Sequence, residues 1–340
     1  MKLLIIGGTR FVGRHLVAAA LARGDQVTLF NRGQTSAALP PGVAWIQGDR
    51  GGDLSALRGQ RWDAVIDTCG YLPADVARMA GALDASVGRF AFISSVSVYA
   101  SSATCNHEDS PLGHIDDTDT TVVDGRTYGP LKALCEQAVV QRCGTRALIV
   151  RPGLVVGPHD PTKRFTWWPA RVARAVRDGQ PMLAPGAPGR PLQFIDARDL
   201  ADFVLHALDA GCGGAYNAVA PGGFTTMQGL LDACAVAAGG RPSLVWANDG
   251  DLARLGVEPW MQMPLWLPEG GEHAAFMLVD QRRAQAAGLR QRDLGDTVAD
   301  TLAWWRALPT AQRQFDNTGL SPEREAQVLV ALADDRQPRA

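Results

Sequence analysis

The sequence predicts an α/β fold: a doubly wound parallel sheet followed by a smaller C-terminal α+β lobe. Three observations predict it. Short apolar runs alternate with helical patterns through the first half of the chain. A glycine-rich turn joins the first run to the first helical pattern. Past residue 160 the alternation breaks down, Pro and Gly cluster at 181–191 and 221–223, and seven of the nine tryptophans are found there. Strands alternating with helices build βαβ units, hence a parallel sheet covered on both faces with right-handed crossovers.

The elements follow in order. Leu3 to Ile6 is a continuous apolar run closed by Gly7-Gly8, and Phe11 to Ala22 has helical spacing that stops at Arg23-Gly24. Further strands are predicted at Gln26–Phe30, Val43–Ile46, Ala64–Ile66, Arg89–Ile93 and Ala147–Val150, with helices at Ala74–Leu83 and Leu131–Val140 between them. In the second half, helical patterns recur at Leu200–Leu208, Met227–Ala238, Thr297–Leu308 and Glu323–Leu332, and the last residues read as a frayed tail. The expected division is 1–160 plus about 190–218 for the nucleotide-binding domain. About 161–189 plus 219–310 would form the lobe, and 311–340 a C-terminal helix and tail.

Composition bounds the rest. A chain of 340 residues, 46% hydrophobic and 20% charged, is globular, and its length suggests two bodies. A net charge of −2 gives no field for nucleic acid or an anionic membrane. No stretch approaches the roughly 18 apolar residues of a membrane span. The six cysteines form no C-x-x-C and lie at no metal-ligand spacing, so no metal is predicted, and reduced thiols in the cytoplasm are the expectation. Only three of the 33 basic residues are lysines: Lys2, Lys132 and Lys163.

The turn Gly7-Gly8-Thr9-Arg10-Phe11-Val12-Gly13 lies after a strand and before a helix. Glycines there permit a tight turn, close approach to a pyrophosphate and close helix packing. The helix N-terminus adds N–H groups and partial positive charge. A dinucleotide site is the expectation. The second strand ends in Asn31-Arg32-Gly33 with no acid at its tip. Arg32, with Arg10, could take the 2′-phosphate of NADP, which makes NADP the favoured cofactor and NAD the alternative. After the third strand, Asp49 could accept a bond from the adenine amino group, and Arg50 is a further cofactor-binding candidate.

Hydroxyls cluster where the fifth strand ends, at Ser94, Ser95 and Ser97. Ligands bind at that end of such sheets. Tyr128 and Lys132 stand four apart, one helical turn, with Pro130 suited to the first turn. A free tyrosine, with a pKa of about 10, is a poor base at neutral pH. A neighbouring ammonium favours the phenolate. Tyr128 could then exchange a proton with a substrate oxygen that Ser95 holds.

With these motifs assembled, the sequence resembles the extended short-chain dehydrogenase/reductase family, also called the NAD-dependent epimerase/dehydratase family. GGTRFVG, FISSVSVYA, HEDSP, TYGPLK, RPGLVVGP and QFIDARDLA occur in that family's order, from Met1 to about Trp305. The resemblance implies a Rossmann-type fold with a C-terminal substrate lobe. It implies that Ser95, Tyr128 and Lys132 are catalytic, and that Gly7, Gly8 and Gly13 hold the pyrophosphate. Asp49 would meet the adenine, Lys132 the nicotinamide ribose, and Pro152 and Val155 the nicotinamide. It also implies pairing of copies through the helix carrying Tyr128. Two departures stand out: Arg10 replaces the usual middle glycine, and the fourth strand ends in IDTCGY rather than a His-Leu-Ala-Ala type segment. GGTRF with NRG looks like an atypical branch, one that also holds an RNA-binding member.

Substrate contacts are expected from Tyr71, Ser97, His159, Arg164 and Trp168, where rings and basic groups could orient a sugar, a nucleotide sugar or another carbonyl or alcohol. The leading expectation is an NAD(P)-dependent oxidoreductase, either a reductase/dehydrogenase or an epimerase. The alternative is a cofactor-binding or RNA-binding protein of the same fold that does no chemistry.

Overall fold

The computed structural model describes residues 1–35, 39–83 and 86–336; the final part of the predicted tail, 337–340, lies outside the described residues. The chain divides into two compact units. Unit 1 comprises Met1–Val155, Ile195–Pro221 and Val279–Gln291. Unit 2 comprises Val156–Phe194, Gly222–Leu278 and Arg292–Ala340.

Unit 1 is built on one parallel sheet of seven strands. Its first six in sequence are β1 (Lys2–Ile6), β2 (Gln26–Asn31), β3 (Ala44–Gln47), β4 (Trp62–Asp67), β5 (Val87–Ile93) and β6 (Ala147–Pro152). Across the sheet the order is Gly214–Ala218, β6, β5, β4, β1, β2, β3, with every pairing parallel. The order reverses between β1 and β4, the switch point at which such sheets bind ligands. Three helices matter for the site: α1 (Phe11–Ala22), α2 (Pro73–Leu83) and α3 (Tyr128–Cys143).

The two-residue period of a strand assigns the faces. Leu3 and Ile5 point to one side and pack with Leu16, Val17 and Ala20 of α1 and with Leu200 and Val204 of the helix Ala197–Asp209. Leu4 and Ile6 point to the other side, toward Val76 and Met79 of α2 and Cys135 and Val139 of α3. Each fully buried aliphatic chain contributes about 1.5–3 kcal/mol. β1 supplies four, which explains why its run is apolar without alternation.

The seventh strand is not predicted from sequence. Gly214–Ala218 reads GAYNA, with two small residues and an asparagine. Asn217 is nevertheless fully buried, because its backbone N–H donates to Glu108 (3.0 Å) and its side-chain amide to the Asp280 carbonyl (2.9 Å). The segment 279–291, expected in the lobe, returns to unit 1 and buries Ala284 and Leu289 in the core that contains Leu3 and Ile5.

Unit 2 packs the helices Trp167–Asp178, Met227–Ala238 and Leu294–Ala307 together, beside short strand pairs such as Met182–Pro185 with Leu244–Ala247. The first of these helices lies within 161–189, part of the span expected to form the lobe. Trp168 is a correction: it is fully buried, and its indole N–H donates to the Pro264 carbonyl (3.0 Å), so it is a core residue and not a surface for substrate. The helix Pro322–Arg336 is held into unit 2 rather than standing apart, since buried Glu325 accepts from Arg171 (2.7 Å) and the Leu183 N–H (3.0 Å). Among the described residues, no helix is long and apolar enough to cross a membrane.

Candidate active site

The glycine turn has the backbone its sequence predicts. Gly7 and Gly8 take positive φ values of 98° and 84°, a conformation that L side chains avoid. At Gly13 a Cβ would stand 2.7 Å from the Gly8 Cα, so α1 can pack on the turn only without a side chain there. Arg10 occupies the N-cap of α1 with no side-chain cap, and the first turn holds no acid. The helix start therefore presents its partial positive charge to an anion. Phe11 also takes a positive φ, of 27°, and Thr9 lies 3.3 Å from Thr35, hydroxyl to hydroxyl.

Asn31 ties β2 to this turn. Its amide donates to the Gly7 carbonyl (2.9 Å), while its oxygen accepts from the Gly33 N–H (3.0 Å) and the Trp45 indole (3.2 Å). Both the nitrogen and the oxygen of the Asn31 side chain are thus engaged. Arg32 is exposed beside it. Asp49 is exposed too and caps its own turn through the Gly51 N–H (3.0 Å). Arg50 turns inward. Its terminal nitrogens grip both oxygens of fully buried Asp67, at 3.0 and 2.8 Å, and only Nε, buried and without a partner, is left for anything else. Arg50, expected to bind the cofactor, is therefore mostly committed to a carboxylate of its own chain.

At the end of β5, Ser95 caps a one-turn 3₁₀ helix, Val96–Val98, by accepting from the Ser97 N–H (3.1 Å), and its hydroxyl also donates to the Ser97 hydroxyl (3.1 Å). Ser95 is nearly buried and Ser97 exposed. Tyr128 and Pro130 open α3, and Gly129 between them meets the serine turn directly. A Cβ on Gly129 would stand 2.1 Å from the Ser97 carbonyl oxygen. Glycine in Tyr-Gly-Pro is thus what lets the tyrosine helix lie against the serine turn. Gly129→Ala is expected to cost about 1–3 kcal/mol through overpacking. The check is a lower urea midpoint at unchanged m. A midpoint equal to wild type would show that the two elements can part freely.

Lys132 is buried at 3% exposure. Its ammonium donates to the Gly70 carbonyl (2.9 Å) and the Ile93 carbonyl (2.6 Å), and it lies 4.1 Å from the centroid of the Phe92 ring and 5.6 Å from that of Tyr71. Burial holds its pKa down at about 8, against an ordinary 10.5, with Asp67 the first of the charges that resist the drop. Tyr71 is half-exposed and also meets Tyr128, ring centroids 6.4 Å apart. Lys132, Tyr128 and Tyr71 are therefore one cluster. Val155 is half-buried and Pro152 buried in unit 1.

In unit 2, His159 and Lys163 both take left-handed backbone, φ 70° and 56°. His159 packs edge-on against Trp304 (5.4 Å), and the Arg164 guanidinium lies 4.9 Å from the centroid of the Trp260 ring.

Sequence reasoning missed a buried polar network beneath the serine turn. Ser94 donates to Glu136 (2.5 Å), and Arg151 grips both oxygens of Glu136 at 2.9 and 2.6 Å. Arg151 also donates to the Tyr99 hydroxyl (3.2 Å) and the Glu108 carbonyl (2.9 Å), and Tyr99 donates to Asn217 (2.6 Å). The signal was available: Glu136 follows Lys132 by the same four residues that separate Lys132 from Tyr128.

Residues 63–218 match the sequence model of the NAD dependent epimerase/dehydratase family. The match begins within β4 and ends with the strand Gly214–Ala218, so it lies in the part of the chain that supplies most of unit 1. Outside that family model, the chain is similar to the chloroplast stem-loop binding protein of 41 kDa b of Arabidopsis thaliana. The two are 27% identical over 266 residues, 73% of this chain and 66% of that protein's length, just under two thirds. It is also similar to epimerase family protein SDR39U1. The Bos taurus protein is 27% identical over 89% of this chain and all of its own length. The human form, solved with NADPH, is 22% identical at a TM-score of 0.58, covering 89% of this chain and 99% of that one. A UDP-glucose 4-epimerase of Thermus thermophilus, solved as a complex with NAD, is 21% identical with a TM-score of 0.63, covering 91% of this chain and all of that one. Unit 1, with its seven-stranded parallel sheet, thus has the Rossmann-type fold of these structures.

Proposed function

We propose that the chain is a nicotinamide-dependent oxidoreductase of the short-chain dehydrogenase/reductase type. Its reaction is hydride exchange with a carbonyl or alcohol carbon of a small molecule, a sugar or nucleotide sugar among the candidates, as a reductase, a dehydrogenase or an epimerase. The observation that carries this reading is the buried Lys132 ammonium, one helical turn from Tyr128 at the end of β5. A buried cation costs several kcal/mol, a cost that a purely structural lysine has no reason to bear.

The residues fit a dinucleotide. Gly7, Gly8, Thr9, Arg10, Phe11, Val12 and Gly13 form the pyrophosphate cradle, closed by α1 packing on Gly8 where Gly13 carries no Cβ. When bound, the nicotinamide supplies the hydride donor or acceptor. Lys132 holds positive charge beside Tyr128 and favours its phenolate. Tyr128 takes the proton from a substrate alcohol or returns it to a carbonyl oxygen. Ser95 gives up its bond to Ser97 and donates to that same oxygen. Pro152 and Val155 line the nicotinamide side, Tyr71 and Ser97 are the proposed substrate contacts of unit 1, and His159 and Arg164 are the candidates that unit 2 carries.

We favour NADP as the cofactor. β2 ends without a carboxylate, and Arg32 and Arg10 are exposed beside the turn. NADPH is expected to bind more tightly than NADH, and Arg32→Ala to weaken NADPH alone by about tenfold or more, the loss of one charge-assisted phosphate bond. Fluorescence titration of both cofactors checks this, and equal affinities would remove the case. Incubation with carbonyl compounds and nucleotide sugars, followed at the reduced-nicotinamide absorbance, tests the activity itself. A reductase consumes added cofactor, whereas an epimerase carries its own and returns it unchanged.

The relation to a stem-loop binding protein supports a second reading, RNA binding without chemistry. RNA binding that is tight and indifferent to Tyr128→Phe, in a protein inactive toward every such compound, would favour it.

A further inference from the structure

We propose that the buried Arg50–Asp67 pair is a positioning device for Lys132, fixing both the place of its ammonium and its charge. The inference rests on the catalytic reading of Lys132 given above. Five contacts carry it. Asp67 is the last residue of β4, and its carboxylate accepts the Cys69 N–H at 3.1 Å, which bends the chain into the turn 67–70. The same carboxylate is packed against Gly70, where a Cβ would stand 3.1 Å from its Oδ2. The Gly70 carbonyl then takes the Lys132 ammonium. Arg50, reaching from the turn after β3, holds Asp67 through both of its oxygens and reaches the Cys69 sulfur at 3.6 Å. Arg50 thus acts on the lysine through Asp67 and the turn, without touching it.

The charges around the ammonium sort into two groups. Asp67 faces it from the β4 turn and Glu136 from its own helix, and both favour the protonated form. Arg50 opposes it, and burial opposes it most. Cys135 on α3, with Cys69 and Tyr71 in the β4 turn, completes the ionisable surroundings, along with Tyr128. Cys69 stays a thiol, its pKa pushed up to about 11 by burial. Asp67 is therefore the fixed anion nearest to the lysine's carbonyl partner, and Arg50 anchors that anion in place. Where the family sequence ends this strand in His-Leu-Ala-Ala, this chain has Ile66-Asp67-Thr68-Cys69-Gly70-Tyr71, and the arginine in Gly48-Asp49-Arg50 is its complement.

The scarcity of lysine makes the test direct. With lysine labelled at ¹³Cε, the full chain carries three labelled residues, and the one lost in Lys132→Arg is assigned. Its pH titration reads the ammonium without cofactor or substrate. In Asp67→Asn the Lys132 signal is expected to titrate about one pH unit lower, a tenfold stronger acid, while Lys2 and Lys163 stay unmoved. Asp67→Asn leaves Arg50 buried without its counter-charge and could prevent folding. The double variant Arg50→Met/Asp67→Leu, which replaces a buried pair by apolar groups, keeps the fold testable. There the Lys132 titration is expected to fall severalfold in the same direction. A folded variant of either kind whose Lys132 titrates as in wild type would overturn the proposal and leave the pair a strut of the fold. Failure of the enzyme reading would look different: Tyr128→Phe and Lys132→Arg would leave every activity unchanged, whatever the titration showed.

Discussion

Tyr128→Phe is expected to slow hydride transfer by about 10²–10⁴-fold, the range for losing a positioned general acid or base. This corresponds to about 3–5 kcal/mol of transition-state stabilisation, at about 1.36 kcal/mol per tenfold. The change removes one oxygen and keeps the ring that packs against Tyr71. Gly129 still lets α3 reach the serine turn, and Lys132 still has its two carbonyls. Stability and cofactor affinity should therefore hold while the rate falls, a split that a misfolded variant cannot mimic. The measurement is single-turnover oxidation of reduced cofactor with the best carbonyl compound found for wild type, alongside a cofactor titration. A Tyr128→Phe protein as fast as wild type would sink the Ser-Tyr-Lys mechanism. Lys132→Met should lower the rate as well, but with weaker cofactor binding, because its ammonium is proposed to hold the ribose as well as tune the phenol.

The parts of the molecule legible in the sequence are those whose cause is local. The run Leu3–Ile6 is apolar because both its faces are buried, and Gly7, Gly8 and Gly13 are glycines because backbone and helix press together there. Tyr128 and Lys132 share a helix face by spacing alone. Causes that act across the sheet left weaker marks. Gly214–Ala218 is a strand because β6 pairs with it and Glu108 satisfies Asn217, and neither partner is near it in sequence. Arg50 looked free for a ligand because its partner, Asp67, is seventeen residues on. Trp168 looked like a stacking surface because a ring's burial depends on helices that arrive later in the chain. The split at 279–291 was invisible for the same reason. Short apolar residues such as Ala284 and Leu289 say nothing of which core they join.

Arg151→Met is expected to destabilise the protein by about 3–5 kcal/mol, the usual cost of leaving one member of a buried ion pair uncompensated. Glu136 and Arg151 are 4% and 5% exposed, and two parallel hydrogen bonds join them. Methionine matches much of the arginine stem but leaves the Glu136 carboxylate with Ser94 alone. It also strands the Glu108 carbonyl, which had accepted from Arg151. Glu136→Gln should cost less, since a neutral amide still accepts from Arg151 and from Ser94. The double variant Arg151→Met/Glu136→Leu removes the charge problem and should recover much of the loss, though not all, because Ser94 and the Glu108 carbonyl remain unpaired. A urea-denaturation cycle over these variants measures the coupling. Near-additive losses would mean that Glu136 finds another partner and that the pair does not hold α3 to β6. Strong coupling would place Ser94, Glu136 and Arg151 in one cooperative unit. Ser94, the residue before Ser95, and Arg151 of β6 would then be fixed by one carboxylate that stands a turn beyond Lys132 on α3. That arrangement gives a physical reason why a serine, a glutamate and an arginine far apart in sequence have to be placed together for the serine turn and α3 to meet.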